Sequence, residues 1–242
     1  MAFFRSRYDD HLSRKFFHLT SGTILAYLFV SLLTRTESII GMGIGMMILL
    51  PLDLIRLRIP RLNRVMVRLY GPLLREGEDS KPSAQLYYVL GVTWAVVALP
   101  KPVAIHAILC LAWMDPIAAI YGVRFGRRSW GDVFKELIPS SEGRIPEQVT
   151  RKTLEGSFAG FVAAFLAGVV AWTGPWAAAQ IDGTLVWTHP LHVLLLSVAG
   201  AAASVVAEAW PSQWDDNASV PFWCGLIVWA LATVIGLPLS YF

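Results

Sequence analysis

Charge is what this chain has least of. Only 15% of its 242 residues are Asp, Glu, Lys or Arg, while 55% are hydrophobic. A soluble domain carries nearer a quarter of its residues as charge, so an ordinary soluble fold is excluded. Cysteine is almost missing: the two present, Cys110 and Cys224, both fall inside apolar windows, which argues against a disulfide framework. No small-residue cleavage site follows the first apolar run, which therefore reads as a retained span and not a signal peptide. No internal repeat is visible, and the GxxxxGK pattern followed by Ser or Thr that marks a P-loop is absent.

What the chain does have is a succession of apolar windows, each about 17 to 25 residues long, the length that crosses a hydrocarbon core as a helix. The expected fold is therefore all-α: a polytopic integral membrane protein of about seven transmembrane helices, with residues 1–242 as one domain. The spans fall at about 18–33, 39–55, 84–99, 103–123, 157–172, 191–207 and 220–237. The fourth is expected to break early, at Asp115 and Pro116, because proline removes a backbone donor. With seven spans, 18 of the 20 Lys and Arg residues lie on one side, leaving Arg35 and Lys101 on the other. That asymmetry puts the N-terminus in the cytoplasm, in the inner membrane if the source is bacterial. Residues 56–76 interleave arginines with Leu, Val and Met as an interfacial amphipathic segment on anionic lipid would. Gly41 with Gly45, Gly122 with Gly126, and Gly156 with Gly160 read as close helix-packing pairs. Trp130, Trp172, Trp187 and Trp210 lie near span ends and read as interface anchors.

Against this background a few polar residues are out of place. A charge near the hydrocarbon costs roughly 2.5–3.5 kcal/mol on insertion scales, so it is usually retained for function. Four groups share the cytoplasmic side: Arg14, Lys15 and His18; Asp115 with Tyr121, Gly122 and Gly126; Lys152, Thr153, Glu155 and Gly156; and Glu208 with Asp215, Asp216 and Asn217. Each has a plainer reading. Arg14 and Lys15 could be anchors, Lys152 and Glu155 a surface pair, Asp215 and Asp216 a solvated turn, and Asp53 pairs naturally with Arg56 one helical turn away. His189 and His192 have metal-like spacing but lie on the opposite side. Asp115 is the hardest to dismiss, since it follows an apolar run with no basic neighbour. Carboxylates converging on one membrane face suit Mg²⁺, which is usually held by one or two carboxylates plus substrate phosphates. Lysine and arginine beside them would neutralise phosphate charge. The clusters together suggest a metal nucleotide handled at the membrane surface, with the loop at about 124–156 as its cytoplasmic seat and with no nucleic-acid partner.

The order of these motifs carries a resemblance. RKxxH before the first span, REGE and YYVLG around the third, Asp115 with Tyr121, Gly122 and Gly126 in the fourth, KTLEGS opening the fifth, and Glu208 followed by DNASVP before the last resemble the CTP-dependent lipid kinases. That family includes polyprenol, dolichol and phytol kinases and yeast-type diacylglycerol kinase, and is related to the phosphatidate cytidylyltransferases. The resemblance implies transfer of phosphate from CTP, with Mg²⁺, to a membrane lipid alcohol such as diacylglycerol or an isoprenoid alcohol. It implies that Asp115 and Asp216 hold the metal and that Lys152, Glu155 and these two aspartates are catalytic. Arg14, Lys15, His18, Tyr121, Gly122, Gly126, Thr153, Gly156, Glu208 and Asn217 would bind nucleotide or substrate. The KTLEGS form also resembles the cytidylyltransferases, so cytidylyl transfer to phosphatidate stands as the alternative. A transporter built on broken helices is a third reading, disfavoured by the missing inverted repeat.

Overall fold

The computed structural model describes residues 7–70, 78–138, 147–173, 189–210, 214–237 and 239. Among them the regular elements are helices: α1 (Arg7–Ser31), α2 (Arg35–Arg58), α3 (Pro60–Tyr70), α4 (Ala84–Ala98), α5 (Lys101–Phe125), α6 (Trp130–Leu137), α7 (Glu147–Thr150), α8 (Leu154–Thr173), α9 (Pro190–Ala209) and α10 (Asp216–Val234). An isolated antiparallel bridge joins Ser129 to Thr153. Each expected span falls on a helix. Five of them, α2, α5, α8, α9 and α10, are long and apolar enough to cross a membrane, and α4 is a shorter apolar helix.

The bundle is arranged around α5, which packs on α1, α4, α8, α9 and α10. Val103, Ala104, Ala107, Ile108, Cys110, Leu111 and Ala112 each expose at most 1% of their surface. A helix apolar on every side belongs in the middle of a bundle. Its small residues let neighbouring backbones close in, which is what holds helices together where lipid and side chain are equally apolar. The helix does not break at Asp115 and Pro116. It continues to Phe125, closed by the Gly126 N–H donating to the Gly122 carbonyl at 2.9 Å. Pro116 is buried, and tertiary packing around it outweighs the loss of one backbone donor.

Two further expectations change. Trp172 is not an interface anchor: it is wholly buried, and its indole N–H donates to His106 Nδ1 at 2.8 Å. A large amphipathic ring can enter a core when its one donor finds a partner there. Gly41 and Gly45 do not meet another helix, for a Cβ at either would touch nothing within 4 Å. α2 packs only on α3 and α4 among the principal contacts, so its glycine face looks outward. Trp187 lies outside the described residues.

The end of α2 is built as the sequence suggests and then goes further. Arg56 Nε donates to Asp53 Oδ1 at 2.6 Å, as the one-turn spacing implies. Arg56 is nevertheless not part of an interfacial stripe, since only 2% of it is exposed. Its other nitrogens donate to the Glu78 and Lys81 carbonyls at 2.9 and 2.7 Å, and Asp53 Oδ2 accepts from the Ser83 N–H at 2.9 Å. This network fastens the start of α4. Arg61, Arg64 and Arg68 remain on α3 as the amphipathic part of that segment, while residues 71–77 lie outside the described residues.

Candidate active site

Lys15 of α1 and Asp115 of α5 form the first half of the site. Lys15 Nζ lies 2.6 Å from both Asp115 carboxylate oxygens and 3.5 Å from its carbonyl, and the two residues are 7% and 5% exposed. Two ions leaving water together need this kind of close, multiply bonded geometry to offset desolvation. Lys152, Glu208 and Asp216 form the second half. Lys152 Nζ donates to the Glu208 carbonyl at 2.7 Å and to Asp216 Oδ2 at 3.1 Å. Both halves line one cavity of about 390 Å³, together with Arg14, Arg151, Gly122, Thr153 and Gly156. The charged side chains around it are four basic (Arg14, Lys15, Arg151, Lys152) and three acidic (Asp115, Glu208, Asp216).

Lys152 is positioned by the chain around it. Its carbonyl accepts from the Trp130 N–H at 2.9 Å, and the Leu154 N–H donates to the Arg128 carbonyl at 3.0 Å. These bonds flank the Ser129–Thr153 bridge and fix the residue just before α8. Ser129 also caps α6 through a capping box with Asp132, and the Trp130 indole N–H donates to Ser157 Oγ at 2.8 Å. Trp130 thus holds the loop to α8, a role its place near a span end did not suggest. The helix crossing beneath is tight. A Cβ at Gly156 would come 2.7 Å from the Ala118 carbonyl, and one at Gly122 would come 2.9 Å from Thr153 Oγ1. These glycines are the close contact of α5 with α8 that small-residue spacing implies.

The Asp215–Asp216 pair divides its work. Asp215 is the N-cap of α10, its Oδ1 accepting from the Asn217 N–H at 3.0 Å, whereas Asp216 turns toward Lys152. Burial pulls the Lys152 ammonium toward lower pKa, but the Asp216 and Glu208 carboxylates outweigh it, so its pKa lies above the ordinary 10.5. Glu208 is 7% exposed, and its Oε2 makes no hydrogen bond. A buried carboxylate oxygen without a donor, beside a second carboxylate, is a donor set suited to a hard cation. Among the described residues, the group of three possible ligand atoms within 4.8 Å of one another is His106, Cys110 and Cys224 in the core, not these carboxylates. Asp115, Glu208 and Asp216 do not form such a group of three.

Not every expected residue reaches this cavity. Glu155 faces away: its Oε2 accepts from the Arg127 N–H at 3.0 Å, in a separate open recess shared with Tyr121 and Gly126. His18 and Asn217 line a neighbouring apolar recess that also includes Arg14, Lys15 and Asp115. Arg151, just before the KTLEGS motif, and Ser157, its last residue, also line the main cavity although neither was among the expected site residues.

Comparison with known proteins gives a consistent set of relatives. The chain is 27% identical to CTP-dependent diacylglycerol kinase 1 of Saccharomyces cerevisiae over 221 residues, 87% of this chain and 69% of that protein. It is 29% identical to the protein of the same name from Schizosaccharomyces pombe, over 70% of this chain and 69% of that one. Phytol kinase of Synechocystis is 33% identical over 153 residues, 60% of this chain and 53% of that protein. No family model matches the chain, and no solved structure does.

Proposed function

We propose that this chain, a relative of the CTP-dependent lipid kinases, transfers the γ-phosphoryl group of CTP to the hydroxyl of a membrane lipid alcohol, either diacylglycerol or an isoprenoid alcohol. The observation that carries the proposal is the meeting of Lys15–Asp115 with Lys152–Asp216–Glu208 around one cavity of about 390 Å³. Phosphoryl transfer asks the protein for positioning and charge compensation more than for covalent chemistry. Four basic side chains are suited to a triphosphate. Lys152 and Arg151, which line the cavity, would meet its phosphate oxygens, and α8 and α10 both begin there, their partial positive ends favouring anions.

The two aspartates take different parts in this reading. Asp216, with the unpartnered Oε2 of Glu208, would hold Mg²⁺, which supplies charge neutralisation across the phosphates when bound. Asp115 already has both oxygens on Lys15, and it lines the neighbouring recess as well. It is set to receive the proton of the acceptor hydroxyl. As the hydroxyl oxygen bonds to the γ-phosphorus, the bond from that phosphorus to the β,γ-bridging oxygen breaks and CDP leaves. Glu155 supports the loop by accepting the Arg127 N–H. Seven helices, α1, α2, α4, α5, α8, α9 and α10, would cross the membrane, with the basic side and the site facing the cytoplasm.

Product analysis tests the proposal. Purified protein given CTP and diacylglycerol or phytol in mixed micelles should release CDP only when both lipid alcohol and Mg²⁺ are present, and chelation should stop it. Release of pyrophosphate, with phosphatidate as the required lipid, would replace this reading with cytidylyl transfer.

A further inference from the structure

Beside the charged cavity lies a second recess, of about 250 Å³. Arg14, Lys15 and Asp115 line both, so the Lys15–Asp115 pair is the wall the two spaces share. On the far side of that wall the character changes. Leu25 of α1, Leu49 of α2 and Val89 of α4 make its flanks. Leu49 keeps 39% of its surface exposed, and α2, which carries it, is one of the helices long and apolar enough to cross a membrane.

The recess is also lined by Asn217, which is 3% exposed. Its Nδ2 donates to the Ala84 carbonyl at 3.2 Å, which fixes the amide's orientation, since the opposite one would set two carbonyl oxygens together. Its Oδ1 accepts no hydrogen bond. A buried acceptor without a donor carries a penalty that a bound O–H group removes.

We infer that this recess is the acceptor-lipid site: hydrocarbon lies along Leu25, Leu49 and Val89, and the lipid hydroxyl donates to Asn217 Oδ1 in the resting complex, turning its O–H to Asp115 only as the phosphoryl group is transferred. The identification of the occupant as a lipid alcohol comes from two complementary features. The flanks call for hydrocarbon, and the unpartnered oxygen calls for a donor, which an alcohol brings without the anionic oxygens that a phosphatidate headgroup would set against that acceptor. The shared wall then sets this hydroxyl next to the nucleotide cavity. Phosphoryl transfer to the bound alcohol rests on the kinase reading, but the binding itself does not.

The experiment uses the full chain in detergent micelles with a long-chain primary alcohol carrying a diazirine at mid-chain. Photolysis is expected to label peptides containing Leu25, Leu49 or Val89, and unlabelled diacylglycerol or phytol should compete where phosphatidate does not. Leu49→Trp, which fills the recess, should cut labelling by about tenfold, the scale on which an apolar pocket discriminates, while binding of labelled CTP is retained. Val89→Phe serves as a second obstruction if the first variant fails to bind CTP. Labelling spread over outward residues such as Phe158 and Leu166 of α8, or unchanged by either obstruction, would overturn the site. Because labelling needs no turnover, the two readings fail separately. Labelling in the recess without phosphorylation would sink the kinase reading alone, and phosphorylation with labelling elsewhere would sink this site alone.

Discussion

Lys15 and Asp115 stand 100 residues apart in the chain, yet the ammonium of one is 2.6 Å from both carboxylate oxygens of the other. Asp115 is the charge that a central helix has least means to accommodate, and α1 is the element that compensates it. The pair lines both the cavity proposed for nucleotide and the recess proposed for lipid, so its integrity should matter to folding and to activity in separable ways.

Removing Lys15 takes from a buried carboxylate the ammonium that lies on both of its oxygens. Lys15→Met should lower stability by about 3–5 kcal/mol, whereas Lys15→Met combined with Asp115→Leu should recover most of that loss, since an apolar pair of similar volume is often as stable. Neither protein should phosphorylate lipid. Thermal unfolding in detergent, read beside activity, checks this; a single variant as stable as the parent would show that the pair is not formed.

Lys152 is proposed to act on charge and not as a proton carrier. With its pKa raised by Asp216 and Glu208, its contribution to stability is fully present below the unfolded value of 10.5. That contribution is lost only as pH rises through the higher folded value. Between about pH 6 and about pH 9, below the usual lysine range, stability and kcat should show no step assignable to it. Lys152→Ala should lower kcat by about 10²–10³, the scale of one lost electrostatic contact to the transition state. A wild-type activity loss near neutral pH that Lys152→Arg abolishes would contradict this.

The glycines divide into two classes that a stability measurement separates. Gly156→Ala drives a Cβ to 2.7 Å from the Ala118 carbonyl and should cost about 1–3 kcal/mol by overpacking, with activity falling as α5 and α8 move apart. Gly43→Ala meets nothing within 4 Å and should stabilise by about 0.5–1 kcal/mol through helix propensity alone. Equal effects at the two positions would mean that the α5–α8 crossing is misplaced.

Arg56 is a structural centre far from the chemistry in sequence. It is buried with four hydrogen bonds, to Asp53, Asn63, Glu78 and Lys81. Arg56→Met should destabilise by about 3–5 kcal/mol because Asp53 is left buried without its partner. Arg56→Lys should rescue little, since an ammonium cannot reproduce the planar fork. Unfolding midpoints of the two variants within error of wild type would rule out the network.

How much of this was legible depends on the distance over which each interaction acts. The helices and the Asp53–Arg56 pair are local: the length of each apolar window exposes the first and one-turn spacing the second. Clustering of Arg14, Lys15, Asp115, Lys152, Glu208 and Asp216 followed from the basic-residue asymmetry, which sorts loops by side without needing contacts. Which residues pair is a different matter. Nothing local ties Lys15 to Asp115, or separates the capping Asp215 from the inward Asp216, because both aspartates suit a helix start. Trp172 looked interfacial for the same reason: its partner His106 lies on another helix. Glu155 sat in the right motif, but the bridge at Ser129 and Thr153 turns it toward the Arg127 backbone, a result of three-dimensional closure that spacing does not encode.

Phosphoryl and cytidylyl transfer differ in the bond that is broken in CTP. The most direct measurement incubates wild-type protein and Mg²⁺ with diacylglycerol or phytol and CTP carrying different phosphorus isotopes at the α and γ positions, then counts both in the extracted lipid. The γ isotope alone should appear in lipid, in a one-to-one ratio with CDP released. The α isotope in lipid, or neither isotope there while CTP is consumed, would contradict the account.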